Sequence, residues 1–111
     1  MLLDFWASWC GPCRRRDADH RQAGPALQDE GWLVVGVNVG ETADVARDFA
    51  RDYAMGFTVL LDEERKVTSQ YGAVGIPTLV IIDQQGMISS HFVGLRSGED
   101  LRAALKKVGL D

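Results

Sequence analysis

Met1-Leu2-Leu3-Asp4-Phe5-Trp6-Ala7-Ser8-Trp9-Cys10-Gly11-Pro12-Cys13 is the stretch from which the fold is read. Residues 2–6 make an apolar, β-compatible run that predicts a buried strand. Gly11-Pro12 turns the chain, and proline is tolerated in a first helical turn. A helix is therefore predicted from about Cys13 towards Gln28, kinked or divided at Gly24-Pro25. The chain's only two cysteines fall at this strand-to-helix junction. The thiolate is the nucleophile in disulfide exchange. Just ahead of a helix, Cys10 would face unpaired N–H groups and the positive end of the dipole, which favour the thiolate. Arg14, Arg15 and Arg16 push the same way. Cys13, one turn in, is expected to be more buried. That asymmetry makes Cys10 the attacking thiol and Cys13 the resolving one, with Gly11 and Pro12 holding the sulfurs close. Two other readings fit a Cys-x-x-Cys pair. Half of a zinc site needs two further ligands, and His20 and His91 show no metal-like spacing. An inert structural disulfide across so short a loop would constrain the unfolded chain little.

A chain of 111 residues, 46% hydrophobic and 25% charged, is expected to be one globular domain spanning 1–111. It is long enough to bury a core without metals or several crosslinks. A net charge of −4 and the lack of a basic stripe with interleaved aromatics argue against nucleic acid as a partner. No apolar run reaches the roughly 18 residues of a membrane-spanning helix. Asp4 interrupts the place where the core of a signal peptide would lie. A strand that starts almost at residue 1 reads as a domain cut from a longer precursor, so this says little about compartment.

The rest of the chain alternates. Residues 32–39, nearly all apolar, predict a strand buried on both faces. Thr42 is a candidate N-cap for a helix whose stripe is Val45, Phe49 and Tyr53, flanked by Ala46 and Ala50. Residues 57–61 predict a short strand. Residues 63–71 predict a short polar helix with Val67 inward and Asp62-Glu63-Glu64 as its solvated start. Residues 78–82 and 87–93 predict a hairpin across Asp83-Gln84-Gln85-Gly86. Ser97 caps a last helix with Asp100 three residues on, and its apolar face is Leu101, Ala104, Leu105 and Val108. Trp6, Trp32 and Phe49 are expected in the core, and His20 and His91 on the surface. The order β-α-β-α-β-α-β-β-α is that of an α/β sandwich: parallel strands first, then an antiparallel edge.

Residues 4–13 resemble the active-site segment of the thioredoxin superfamily, and Gly75-Ile76-Pro77-Thr78 resembles its cis-proline loop. Two motifs in that order are more specific than Cys-x-x-Cys alone. The stretch 37–41, then 57–62, Tyr71-Gly72 and 81–86, is similar to the TlpA/ResA-like thiol–disulfide oxidoreductases, some of which reduce apocytochrome c before haem attachment. The resemblance covers nearly the whole chain. It implies a thioredoxin-like three-layer α/β sandwich, a mixed sheet with helices on both faces. It implies Cys10 as nucleophile and Cys13 as resolving thiol, with no cofactor beyond their redox-active disulfide and no metal. Asp4 would be the buried acid that relays a proton to or from Cys13, and Glu41 a carboxylate close to the cysteines serving as general acid/base. Taken from the residues alone, Glu41 could instead serve only the next helix N-terminus. Trp9, Gly11, Pro12, Ile76 and Pro77 would contact the substrate, the backbone beside a cis Pro77 pairing with an extended segment.

These features imply a protein-disulfide reductase, because Gly11-Pro12 and Ile76 are as in reducing members. The alternatives are a disulfide oxidase or isomerase, or a peptide-binding module without turnover. The implied partners are a disulfide-containing protein and an upstream dithiol donor. The implied location is periplasmic or membrane-anchored and extracytoplasmic, with the cytoplasm as the alternative. Two departures stand out. The family's strands before the active-site strand are missing, so the chain is expected as a monomer, or as a dimer through an exposed sheet edge. Arg14 to Arg16 occupy a place where many members carry an acidic residue and a proline, which predicts a preference for acidic or neutral partner surfaces.

Overall fold

The structure, a computed structural model of the chain, describes residues 1–10, 33–52, 58–73 and 75–94 together with positions 100, 103, 104 and 106. The predicted helix after Cys13, Trp32, Tyr53 and most of the last predicted helix lie outside the described residues.

Five strands form one sheet in the order β3-β2-β1-β4-β5. They are β1 (Leu2–Trp6), β2 (Val34–Val39), β3 (Thr58–Asp62), β4 (Thr78–Ile82) and β5 (Ile88–Val93). Helix α1 (Ala43–Asp52) joins β2 to β3, and α2 (Lys66–Gln70) lies between β3 and β4. The continuous apolar runs became the three central strands. Every residue of β1, β2 and β4 is buried, whereas β3 and β5 are mostly exposed or half-buried and form the edges. β1 is thus the middle of the sheet, flanked by β2 and β4.

The two sheet faces can be read from the register. Asp4 sits opposite Gly36 and Leu79, and Trp6 opposite Asn38, so these residues share a face. On it Trp6 stacks on Phe49 of α1 at 4.9 Å between ring centroids. The other face carries Leu3, Phe5, Val35, Val37, Val39, Val80 and Ile82 as one cluster. There Phe5 meets Tyr71, just after α2, at 5.7 Å. The two helices therefore cover opposite faces, which gives the three layers. Fully burying a Phe or Trp stabilises by roughly 2–3 kcal/mol, so Phe5 and Trp6, with no exposed surface, anchor one layer each.

β1, β2 and β3 are mutually parallel, but β4 runs antiparallel to β1. Simple alternation had implied a parallel β4. The reason is the length of α2. Five helical residues advance only about 7.5 Å, too little to carry the chain back along a strand of roughly 16 Å. The chain enters β4 from the end at which β3 leaves. The hairpin to β5 is as predicted: Asp83 Oδ1 accepts from the N–H groups of Gln85 and Met87, at 3.0 and 2.9 Å. Gly86 there takes φ +83°, which favours glycine.

Three burial expectations fail. Val45 is exposed, because Ala46 and Phe49 address the sheet and the neighbouring position is rotated about 100° away. Val67 is 38% exposed and Thr68 is the buried residue of α2. Asp62 is 7% exposed and is not a solvated helix start. The last two share a cause: the Asp62 side chain hydrogen-bonds Thr68 and so fixes the rotation of α2. His91 is exposed as expected, its Nε2 lying 3.0 Å from the Tyr71 carbonyl oxygen.

Candidate active site

The short α2 gathers four segments at one end of the sheet. These are Ala7–Cys10 after β1, Gly40-Glu41 after β2, Asp62–Arg65 after β3, and Gly75–Pro77 before β4. Chain segments beyond the carboxyl ends of parallel strands are where α/β sheets place ligands.

Cys10 N–H donates to the Ala7 carbonyl at 3.2 Å, closing a turn off the end of β1. Cys10 is disulfide-bonded. Its residue surface is 3% exposed, packed with Trp6, Ala46 and Phe49, while Trp9 is 58% exposed. Cys13, Gly11, Pro12 and Arg14 to Arg16 lie outside the described residues. The Ile76–Pro77 bond is cis, as the motif implied. Its loop is pinned on both sides: Gly94 N–H donates to the Pro77 carbonyl at 2.8 Å, and Thr78 Oγ1–H donates to the Gly75 carbonyl. Ile76 packs against the Cys10 cluster. Among the described residues, its backbone N–H and C=O take no hydrogen bond. Trp9 and Ile76 line a common groove of about 400 Å³.

Asp4 is buried in the middle of β1, on the same face as Trp6, which touches Cys10. Glu41 lies between β2 and α1. It reaches across to the turn after β1, where Oε1 accepts from Ser8 N–H at 2.7 Å and Oε2 from Ser8 Oγ–H. Asn38 Nδ2 donates to Oε1 at 3.0 Å. Three donors therefore hold a carboxylate that ties β1 and β2 together two residues before Cys10. Ser8 and Asn38 were missed from sequence. Asn38 left a signal, being the one side-chain amide in an otherwise apolar strand.

Asp62 organises the third segment. Its Oδ2 accepts from Thr68 N–H at 2.7 Å and Thr68 Oγ1–H at 2.6 Å. Its carbonyl accepts from Gly40 N–H and Arg65 N–H, at 3.0 and 3.1 Å. Burial pushes the carboxyl up, but the Thr68 hydroxyl and the N–H groups of Thr68, Val67 and Lys66 outweigh it, so Asp62 titrates below its ordinary range. Among the described residues no group of three His, Cys, Asp or Glu could hold a metal ion. Nor is any helix there long and apolar enough to cross a membrane.

A mixed sheet with helices on both faces, and a disulfide-bonded cysteine beside a cis-proline loop, defines a thioredoxin-like protein. The model of the AhpC/TSA family matches residues 1–91, and the chain belongs to that family as a TlpA/ResA-like member of the thioredoxin superfamily. It is 30% identical over 108 residues to the thiol-disulfide oxidoreductase ResA of Geobacillus thermodenitrificans, covering 97% of this chain. The chain spans 62% of the length of that and similar ResA relatives. A Chlorobium tepidum structure assigned as the thiol:disulfide interchange protein DsbE superposes with a TM-score of 0.85 at 34% identity, over 96% of this chain and 77% of that one. The exposed lipoprotein thioredoxin Etrx1 of Streptococcus pneumoniae gives 0.76 at 26% identity, over 96% and 82%.

Proposed function

We propose that the chain is a thiol–disulfide oxidoreductase that reduces protein disulfides through Cys10 and Cys13. The observation that carries this is the pairing of a disulfide-bonded Cys10 with the cis Ile76–Pro77 loop at one end of the sheet. In the reduced protein the Cys10 thiolate attacks one sulfur of a substrate disulfide. A Cys10–substrate bond forms, the substrate S–S bond breaks and one substrate thiolate leaves. The Cys13 thiolate then attacks Cys10 Sγ and releases the second substrate thiolate. Two electrons have moved to the substrate, and the disulfide at Cys10 is restored. An upstream dithiol returns it to the reduced form. The open backbone of Ile76 suits an added strand, which would align the substrate cystine against Cys10.

Asp4, buried on the sheet face it shares with Trp6, which touches Cys10, serves as the proton relay for Cys13. Glu41 is better suited to positioning than to proton transfer, since Ser8 N–H, Ser8 Oγ–H and Asn38 Nδ2 all use it as an acceptor. Extracytoplasmic work is supported by the naming of Etrx1 as an exposed lipoprotein. The test is insulin-type disulfide reduction with dithiothreitol as donor. Cys10→Ser is expected to abolish turnover, and a parent chain that gives no turnover above the dithiothreitol background would leave only a peptide-binding module. Direction is tested by the dithiol/disulfide potential. A value near about −270 mV supports a reductase, and one near about −120 mV makes the protein an oxidant.

A further inference from the structure

The groove beside Trp9 and Ile76 does not end in apolar surface. Val39, Ser69 and Arg65 also line it. Arg65 is the only non-glycine with positive φ among the described residues, at φ 63°, ψ 24°. For a residue with a side chain that left-handed conformation costs roughly 1–2 kcal/mol, which glycine avoids. An arginine held there points to a use for its side chain. The guanidinium lies over Gly40, where a Cβ would come within 2.7 Å of Arg65 Nε. Gly40 itself, at φ +71°, needs no side chain. The backbone on both sides is fixed by the Asp62 carbonyl, which accepts from Gly40 N–H and Arg65 N–H.

Every nearby acid with a partner is committed elsewhere. Asp62 holds Thr68, Glu41 holds Ser8 and Asn38, and Glu64 pairs with Lys66 at 3.1 Å. Among the described residues no carboxylate lies within ion-pair distance of Arg65. A positive charge with no carboxylate at ion-pair distance among the described residues therefore lines the same groove as Trp9, the residue next to Cys10.

We propose that this groove binds the polypeptide flanking the substrate's cystine, and that Arg65 selects a segment with an acidic side chain there. The inference rests on the disulfide-exchange reading above and names the substrate class for that same site. Apolar residues next to the cystine lie on Trp9 and Ile76, and an Asp or Glu further along meets the guanidinium, which can take a carboxylate in bidentate fashion.

The probes are two synthetic disulfide peptides, identical except for Glu or Gln in the flank. Turnover with dithiothreitol gives the ratio of their kcat/KM values. Calorimetry with serine in place of the peptide cysteines gives their affinities for the oxidised chain. The Glu peptide is expected to be favoured by roughly three- to tenfold at low salt, the scale of one partly exposed charge-assisted contact. The preference falls as salt screens it. Arg65→Gln is expected to bring both ratios to within about twofold of unity. Gly40→Ala, which keeps the charge but displaces the guanidinium, lowers them as well. Equal handling of the two peptides by the parent chain overturns the proposal. So does a preference that survives Arg65→Gln, which would place the selection on Arg14 to Arg16. Charge-selective binding without turnover of either peptide would remove the oxidoreductase reading and leave the groove standing.

Discussion

The Asp62 carboxylate accepts from both the N–H and the hydroxyl of Thr68, so its loss strands both donors while the backbone carbonyl keeps its own bonds. Asp62→Ala is expected to destabilise the fold by about 1–3 kcal/mol, measured by denaturant unfolding. Its folded-state pKa lies below the unfolded one, so on acidification the unfolded chain binds the proton first. The stabilisation is whole above about pH 4 and fades as pH falls through the lower folded value. The parent chain should lose stability over that window relative to Asp62→Ala; parallel pH profiles would contradict this. Glu41 makes a different prediction. In Glu41→Ala both acceptor oxygens go, so Ser8 N–H, Ser8 Oγ–H and Asn38 Nδ2 lose them together. A loss of about 1–3 kcal/mol is expected, together with slower disulfide exchange in the stopped-flow. Glu41→Asp, which is too short, is expected to fail in the same way. Arg65→Gly relieves a left-handed residue and is expected to raise stability by about 0.5 kcal/mol while discarding the charge.

At the scale of elements, α2 shows where sequence patterning stops. A five-residue helix has barely more than one turn, so apolar spacing cannot set its phase. Val67 is the one large apolar residue in it and read as inward-facing. Asp62 instead draws Thr68 to the sheet, and Val67 turns outward. Val67→Ala should change stability by less than about 0.5 kcal/mol, and Thr68→Ala should cost about 1–3 kcal/mol. The reverse order in thermal melts would restore the original reading. The phase of α1 was partly legible: Phe49 and Ala46 were in the stripe, but Val45 was one position too far round. Strands were clearer, because burial on both faces leaves a run with hardly a polar residue. Asn38 stands out in that run as its one side-chain amide, but its partner is legible only once β2 is seen to end beside the Glu41–Ser8 contact.

Over the whole molecule, the class of fold, the hairpin and the cis-proline loop were all legible, since each depends on local chemistry. The direction of β4 and the gathering of Gly40, Asp62 and Arg65 beside the cysteine were not, since they depend on how far α2 carries the chain. Nothing in Glu64-Arg65-Lys66 announces a left-handed backbone or a groove. The layering also predicts a hierarchy of amide exchange. Amides of β1, β2 and β4, buried on both faces, should exchange only through global unfolding, and those of β3 and β5 faster. Uniform protection across all five strands would contradict it.

The pairing of β1 with β4, which joins Leu2 to Ile81 and Phe5 to Thr78, has a further consequence for synthesis. The chain leaves the ribosome amino end first, so Cys10 emerges well ahead of Glu41, Arg65 and Pro77. A nascent chain carries the reactive cysteine before it has anything to govern it. Selectivity arrives only when β4 pairs with β1, and until then the thiol is open to any oxidant it encounters.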